Sequence, residues 1–163
     1  MLDFDHVRGD KVKELSVLVS QGVSVRKLDA EIAKCVVVCA NCHRRRTAIR
    51  QGSWRELAVH GEEFTARLER PVRRNLLYVR EYLEARGCER CGEADLRVLE
   101  FDHVDEKRFC VMTGVWEGYS LDRIREEIER CRVLCANCHR ARTAQQAQPF
   151  RYWALLAADV AGM

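Results

Sequence analysis

Apolar and polar residues alternate with two different periods along the first part of the chain. Residues 2–7 alternate apolar and polar side chains, which is typical of a strand. Residues 25–35 carry apolar side chains at helical spacing behind Ser24, a residue type that caps helix N termini. A Cys-x-x-Cys-His turn then leads into a helix over 45–51. The pattern therefore predicts a strand, a helix, a cysteine turn and a second helix.

The same pattern returns in the second half of the chain because the sequence contains a duplication. Residues 2–7 match 99–104 at an offset of 97, and residues 24–48 match 120–144 at an offset of 96. Such self-similarity marks a repeat of one structural unit. We therefore expect a helix over 121–131, equivalent to the helix of the first copy.

The other segments are predicted from the same periodicities. Residues 96–104 are expected to form a hairpin, and 133–143 a cysteine turn followed by a helix. Apolar periodicity over 72–85 predicts a helix that ends at Gly87. Apolar side chains over 149–161 predict a helix near the C terminus.

Composition narrows the class of protein. Of the 163 residues 47% are hydrophobic and nine are cysteine, and the formal net charge is +3. No apolar leader follows Met1, so we expect a cytoplasmic protein whose cysteines bind metal rather than a secreted disulfide framework. No apolar run is long enough to span a membrane. The small net charge says little about partners, whereas local clusters of arginine are more informative.

Four of the cysteines have the spacing of a zinc site. They form two Cys-x-x-Cys pairs: Cys88, Cys91, Cys135 and Cys138. Four thiolates fill the tetrahedral shell of a structural zinc and leave no position for water or substrate. Two disulfides or unligated thiols are the alternative interpretation. Cys110 and Cys131 have no partner of this kind, and we expect both to lie in the core.

An acid and two histidines are left over near the zinc motif. His139 follows Cys138 at the start of a predicted helix, so their side chains point about 100° apart and only Cys138 faces the zinc. Asp102 offers a carboxylate for a harder ion, and His103 titrates near neutral pH and can take a proton from water. In a regular strand Asp102 and His103 point to opposite faces. Both can serve one phosphate only if the strand ends or bulges there.

These residues resemble a known family, the HNH endonucleases, in particular the zinc-stapled ββα-metal type of phages and bacteria. The motifs are Cys-x-x-Cys-Gly, then Phe-Asp-His, then Cys-Ala-Asn-Cys-His-Arg-x-Arg-Thr. The resemblance covers 72–148 in full and 2–52 in part. It implies that His103 is a general base, that Asp102 and His139 hold one Mg²⁺ or Mn²⁺ ion, and that the four cysteines hold zinc. The implied reaction is hydrolysis of phosphodiester bonds in double-stranded DNA.

The resemblance also implies a fold and a division of the chain. We expect the α+β class, with small zinc-stapled ββα-metal units that are mostly helical outside their hairpins. The expected parts are an incomplete HNH repeat over 1–52 without the upstream Cys-x-x-Cys, a helical basic connector over 53–87, a complete HNH domain over 88–148, and a C-terminal helix over 149–163. The connector is either an ordinary solvated amphipathic helix or a helix that contacts DNA.

One position departs from the family's pattern. The middle Asn usual in the family falls at Arg130, matched by Lys34 in the first copy. Neither side chain can replace an amide. Asn137, between the zinc cysteines, either takes over this orienting role or only caps its turn.

The first copy repeats the catalytic set and half of the zinc set: Asp5, His6, Cys39, Cys42 and His43. A site with two thiolates needs water or a further ligand such as Cys35, His60 or a partner chain. Three explanations stay open: a degenerate copy kept as a scaffold or DNA clamp, a start codon placed too late, and a half-site completed elsewhere. We favour a degenerate or truncated copy.

Arginines follow both cysteine turns: Arg44, Arg45 and Arg46 in the first copy, and Arg140 and Arg142 in the second. We expect them to contact DNA phosphates, although exposed arginines are also common on surfaces. Pairing of two chains to cut both strands is a further open expectation. The rival function is a non-catalytic zinc-ribbon module that binds nucleic acid or protein, which needs the cysteines but neither Asp102 nor the histidines.

Overall fold

The structure, a computed structural model, describes residues 2–52 and 62–146. The first repeat contains five elements, which are β1 (Leu2–His6), α1 (Leu15–Ser20), α2 (Val25–Ile32), β2 (Cys35–Cys39) and α3 (Ala40–Gln51). Two helices follow, α4 (Glu62–Ala66) and α5 (Arg70–Arg86). The second repeat contains β3 (Leu99–His103), α6 (Val111–Trp116), α7 (Leu121–Ile128), β4 (Cys131–Cys135) and α8 (Ala136–Gln146). The predicted C-terminal helix lies outside the described residues.

Each repeat contains a two-stranded antiparallel sheet followed directly by a helix. Strand β1 pairs with β2 and β3 pairs with β4, in the same register in both repeats. His6 lies opposite Cys35, and His103 lies opposite Cys131. The expected α+β class is therefore confirmed. No helix among the described residues is both long and apolar enough to cross a membrane.

Two predictions about local structure are wrong. The segment 96–104 is not a hairpin, because Leu96–Val98 is a 3-10 turn and the partner of β3 is β4. The helices predicted to reach Cys35 and Cys131 end at Ile32 and Ile128. In both repeats the cysteine instead begins a strand that pairs with the first strand of its repeat, and in β2 this strand is rich in β-branched valine. Pairing with a strand that is distant in sequence therefore determines the secondary structure of these segments.

Helix α5 forms where the apolar periodicity predicted it. Pro71 lies in its first turn, where the missing N–H costs nothing. The helix ends at Gly87, whose φ of 63° is left-handed. A Cβ at Gly87 would lie 3.2 Å from the carbonyl oxygen of Glu93. Gly87 thus allows the chain to turn closely from α5 into the first Cys-x-x-Cys motif.

The main apolar core belongs to the second repeat and α5. Leu76, Val79 and Leu83 of α5 are buried in the same cluster as Leu99 and Val133 of the sheet. Helices α6 and α7 complete this cluster with Val111, Val115, Ile124 and Ile128. The connector predicted from its basic surface is thus also a core helix of the second repeat.

The first repeat has no equivalent cover on its sheet. Leu2, Phe4 and Val37 match the buried or half-buried Leu99, Phe101 and Val133 in sequence, but they are 71%, 45% and 57% exposed. In residues 2–52 and 62–146 no helix takes the place that α5 takes in the second repeat. The first repeat therefore buries little apolar surface of its own.

Helices α3 and α8 bring the repeats together through equivalent residues. The backbone N–H of Asn41 donates to Oδ1 of Asn137 at 3.3 Å, and the N–H of Asn137 donates to Oδ1 of Asn41 at 3.0 Å. Such reciprocity, in which each residue contacts its own counterpart, defines an isologous interface. The repeats therefore pack within one chain as two identical subunits pack in a symmetric dimer.

This distribution of the core predicts how separate fragments behave. Residues 62–146 with zinc should fold alone, whereas residues 1–52 should not, because the first repeat has too little buried apolar surface to offset chain entropy. Dispersion in ¹H–¹⁵N spectra of the two fragments measures this. A well-dispersed spectrum of isolated residues 1–52 would contradict the dependence of the first repeat on the second.

Candidate functional site

Four cysteines meet between the turn after α5 and the start of α8. The Sγ atoms of Cys88, Cys91, Cys135 and Cys138 all lie within 4.8 Å of one another. Those of Cys91 and Cys135 are 3.8 Å apart. Tetrahedral zinc with bonds of about 2.3 Å places its sulfurs about 3.8 Å apart. The four cysteines therefore could hold a metal such as zinc, which would fasten α8 to the turn.

The surroundings of the cluster shift its thiols in both directions. Burial alone would raise the pKa of Cys88, but hydrogen bonds from backbone N–H groups lower it to about 7. Burial and the neighbouring sulfurs raise the pKa of Cys138. The two remaining cysteines of this repeat lie elsewhere. Cys131 is half-buried and donates to the carbonyl oxygen of Glu127. Cys110 is exposed, so the expectation that it belongs to the core is wrong.

One residue past the cysteine turn, His139 lies between two carboxylates of β3. Its Nδ1 is 2.7 Å from Oε2 of Glu100, and its Nε2 is 3.4 Å from Oδ1 of Asp102. Glu100 and Asp102 are two residues apart on a strand, and therefore share one face of the sheet. Oδ2 of Asp102 accepts hydrogen bonds from Arg132, at 3.0 Å, and from Arg142. The predicted pair of Asp102 and His139 thus meets, and Glu100 joins it.

His103 lies on the opposite face of the strand. Its Nε2 is 2.9 Å from Oε1 of Glu127, a side chain that α7 buries completely. Strand β3 remains regular up to His103, with no bulge in its pairing to β4. The structure therefore does not bring His103 into contact with Asp102 and His139. The strand ends at His103.

Glu127 is a site residue that the sequence reasoning missed. Its Oε1 also accepts the backbone N–H of Arg108 at 3.0 Å and that of Phe109 at 3.3 Å. Burial raises the pKa of Glu127, but these donors and His103 lower it further than burial raises it. The carboxylate thus faces Nε2 of His103, and Nδ1 is the ring nitrogen that Glu127 does not contact. The match of Glu31 with Glu127 in the repeat was the available signal.

The first repeat reproduces these contacts. His43 Nδ1 is 3.0 Å from Oδ2 of Asp3, and His43 Nε2 is 3.8 Å from Oδ1 of Asp5. His6 Nε2 is 2.9 Å from Oε1 of Glu31. Its cysteines do not form an equivalent cluster. The described residues bring no third metal-binding side chain to Cys39 and Cys42, and His60 lies outside these residues.

Asn137 has a role that differs from both expected ones. Its Oδ1 accepts the N–H of Asn41 and so caps the first turn of α3, in the other repeat. It contacts neither His103 nor His139. At the family's middle position, the backbone oxygen of Arg130 accepts the N–H of Val104 at 2.9 Å, which extends the pairing of the two strands.

The five arginines predicted to contact phosphates are all bound to acids of the protein. The pairs are Arg44 with Glu100, Arg45 with Glu93 and Asp95, Arg46 with Asp5, Arg140 with Asp3, and Arg142 with Asp102. Two of them, Arg44 and Arg140, cross between the repeats in reciprocal fashion. The arginines therefore organise the histidine clusters, and phosphate contact by them stays a prediction.

A groove lies beside the second cluster. It has a volume of about 400 Å³, and its lining includes Arg90, Arg132, Arg142 and the cysteine ligand Cys138. Three guanidinium groups against the single carboxylate of Glu89 give it a positive lining. Comparison of the chain with models of protein families, with curated proteins and with solved structures finds no match. The function is therefore argued from the site itself.

Zinc content tests the cysteine cluster. The purified chain should contain about one zinc ion, because one set of four thiolates is complete. Cys91→Ser should lose the zinc and lower Tm, since structural zinc stabilises the folded state. Cys42→Ser, which changes an equally exposed cysteine, should do neither. Elemental analysis and thermal unfolding measure both effects, and two tightly held ions per chain would contradict a single complete site.

The buried carboxylate of the first repeat predicts a pH dependence. A hydrogen bond from Lys34 lowers the pKa of Glu31 from 4.5 to about 2. A depressed folded-state pKa stabilises the protein above the unfolded value, and this stabilisation is lost as the pH falls from about 4.5 towards 2. The difference in free energy of unfolding between the wild type and Glu31→Gln should therefore shrink over that range. A difference that stays constant, as expected for exposed Asp29→Asn, would refute this.

Proposed function

We propose that this protein is a metal-dependent endonuclease that hydrolyses DNA phosphodiester bonds, the activity of the HNH enzymes that its motifs resemble. The observation that carries the proposal is the pair of Asp102 Oδ1 and His139 Nε2, 3.4 Å apart. Two ligand atoms about 2.1 Å from one ion are separated by about 3 to 4 Å. One oxygen and one nitrogen suit a divalent ion that keeps several waters, such as Mg²⁺ or Mn²⁺.

The surrounding residues orient this pair. Glu100 accepts the Nδ1 proton of His139, so that Nε2 turns its lone pair towards Asp102. The cysteine cluster fixes the first turn of α8, from which His139 projects. Arg132 and Arg142 occupy Oδ2 of Asp102 and leave Oδ1 directed at His139. The geometry of the pair thus comes from a strand, a stapled helix and two guanidinium groups.

A divalent ion held here would stabilise the negative charge that grows on the phosphate and on the leaving oxygen. The proton of the attacking water needs an acceptor, and we assign this role of general base to Nδ1 of His103. Glu127 holds the opposite nitrogen of that ring and stabilises the imidazolium that forms. His103 is the last residue of β3, and a phosphate bound at Asp102 and His139 would have to lie across this strand end for its attacking water to reach the His103 ring.

The groove lined by Arg90, Arg132 and Arg142 supports a polyanionic substrate. Arginine side chains bind phosphate oxygens with little reading of base sequence, and such binding weakens as salt increases. The groove also borders Cys138, whose neighbour is His139. A nucleic-acid backbone in this groove would therefore pass beside Asp102 and His139, the proposed ligands of the divalent ion.

One observation favours a second candidate, a non-catalytic zinc module that binds nucleic acid or protein. His103 makes its hydrogen bond on the far side of β3, and the arginines already neutralise Asp102. In that case the histidines would be structural, as partners of buried acids. The two candidates differ in whether purified protein cleaves DNA.

Plasmid cleavage tests the proposal. With Mg²⁺ or Mn²⁺ the zinc-loaded protein should nick or cut supercoiled DNA. Asp102→Asn and His139→Ala should each reduce the rate of cleavage by this centre by about 100-fold or more, because each removes one of two protein ligands. His103→Ala should reduce it by about 100-fold to 10,000-fold, the usual range for loss of a general base. Asp105→Asn, which changes an exposed acid just after the strand, is the matched control.

Each result has a defined meaning. Full activity of His103→Ala would remove that residue from the mechanism while leaving the ion site intact. Absence of cleavage by folded, zinc-loaded wild type would reject the nuclease and favour the binding module. Salt-dependent DNA binding without cleavage would then identify the partner as nucleic acid.

A further inference from the structure

The first repeat keeps most of the side-chain contacts that surround the histidines of the second. The contact between Arg132 and Asp102 is not repeated, because Val36 stands at the position of Arg132. An acid two residues before the aspartate holds Nδ1 of the helix histidine in both repeats, as Asp3 does for His43 and Glu100 does for His139. A buried glutamate holds the strand histidine in both, at 2.9 Å each time. A degenerate copy that served only as a scaffold would have no need of this whole set.

A salt bridge attaches helix α3 to the loop after Cys91. Helix α3 carries Arg45, whose Nε is 2.6 Å from Asp95 and whose NH2 is 2.6 Å from Glu93. The hydrogen bonds that Arg45 donates to both acids raise its pKa, so the guanidinium stays charged. The equivalent residue of α8 is Ala141, which cannot make such a contact. Among the described residues this attachment to the loop is therefore made by α3 and not by α8.

The two attachments use one segment. The turn with Cys88 and Cys91 supplies half of the thiolates for α8, and Glu93 and Asp95, which follow directly, hold α3. The N–H of Cys88 donates to the carbonyl oxygen of Glu93 at 2.7 Å and closes this turn. A single rigid loop thus positions the histidine helices of both repeats, one through sulfur and one through carboxylates.

The repeats also exchange arginines at their histidine clusters. Arg140 of the second repeat binds Asp3, and Arg44 of the first binds Glu100. Each of these acids orients the helix histidine of its own repeat. With the reciprocal contact of Asn41 and Asn137, this gives two equivalent clusters related like the two sites of a symmetric dimer.

We propose that the first repeat is a second divalent-ion site, with Asp5 and His43 as its ligands and with Arg45 holding α3 against the loop after Cys91. The Oδ1 and Nε2 atoms of these residues are 3.8 Å apart, within the separation that two ligands of one ion show. Oδ2 of Asp5 accepts from Arg46, as Oδ2 of Asp102 does from Arg142, and Arg50 binds Oδ1. The ion must therefore share Oδ1 with Arg50 or displace it.

A consequence for the substrate rests on the proposed function. Two equivalent centres in an isologous arrangement match the two antiparallel backbones of a DNA duplex, which are themselves related by two-fold axes. One chain then cuts both strands and requires no second chain. The expected end product is linear DNA, with the nicked circle as an intermediate.

Binding of Mn²⁺ tests the second site without reference to activity. Electron paramagnetic resonance titration of the zinc-loaded chain should count about two Mn²⁺ ions. His43→Ala and His139→Ala should each lose one, and the double variant should lose both. Asp5→Asn repeats the first measurement with a smaller change, should His43→Ala fail to fold. One ion in the wild type, lost only with His139→Ala, would overturn the inference and leave the proposed nuclease standing.

The attachment by Arg45 has its own readout. Arg45→Ala should weaken Mn²⁺ at the first site by about 10-fold, as loss of a supporting contact does, with zinc content unchanged. Arg26→Ala, which removes an exposed arginine of the same repeat, should leave both affinities as they are. Equal weakening of both sites by Arg45→Ala would mean a general loss of structure and would contradict the specific role.

Cleavage then separates the inference from the proposed function. Wild type should give linear plasmid, and His43→Ala or His139→Ala should stop at the nicked circle. Wild-type cleavage that His43→Ala leaves unchanged would reject the second centre alone. Two Mn²⁺ ions without any cleavage would reject the nuclease and keep two metal sites.

Discussion

The turn between α5 and β3 is the constraint on which both histidine clusters depend. It is closed by a backbone hydrogen bond between Cys88 and Glu93, and it begins at the left-handed Gly87. The histidine helices bury little apolar surface, since the buried residues are Ala136 in α8 and Ala40, Asn41 and Ala48 in α3. Their positioning therefore depends also on strong polar bonds, which are directional in a way that apolar contact is not. A cysteine cluster that could hold a metal serves one helix, and a forked salt bridge serves the other.

The duplication explains how a single loop can hold the histidine helices of both repeats. When two copies pack through equivalent residues, any loop near the pseudo-symmetry axis lies close to both of them. The loop of the second repeat can therefore support the first. The uneven core follows the same logic, because α5 covers one sheet while Leu2, Phe4 and Val37 of the other stay exposed.

The sequence was sufficient for some features because they depend on short-range spacing. Spacings of a few residues are enough to predict the Cys-x-x-Cys pairs and helix α5. They also predict the histidines that follow Cys42 and Cys138 at the start of each helix. Strand pairing could not be predicted in the same way. The partner of β3 lies beyond two helices, and only the folded chain shows that Cys131 begins a strand. The convergence of His103 with His139 failed for a related reason, since a regular strand sends neighbouring side chains to opposite faces.

The partners of the charged residues likewise depend on contacts that are distant in sequence. Arginines beside a phosphodiesterase-like motif suggested DNA contact, but their partners prove to be carboxylates that are distant in sequence. These pairs have a chemical effect of their own. Burial raises the pKa of Asp3 and Asp5, and hydrogen bonds from Arg140 and Arg50 outweigh it, so both pKa values fall. A partly buried carboxylate binds a cation only in its ionised form. An adjacent guanidinium stabilises that form, but it also competes with the cation for the carboxylate oxygens. At the two proposed ion sites, the competition between arginine and metal for Asp5 and Asp102 would set how tightly an ion is held.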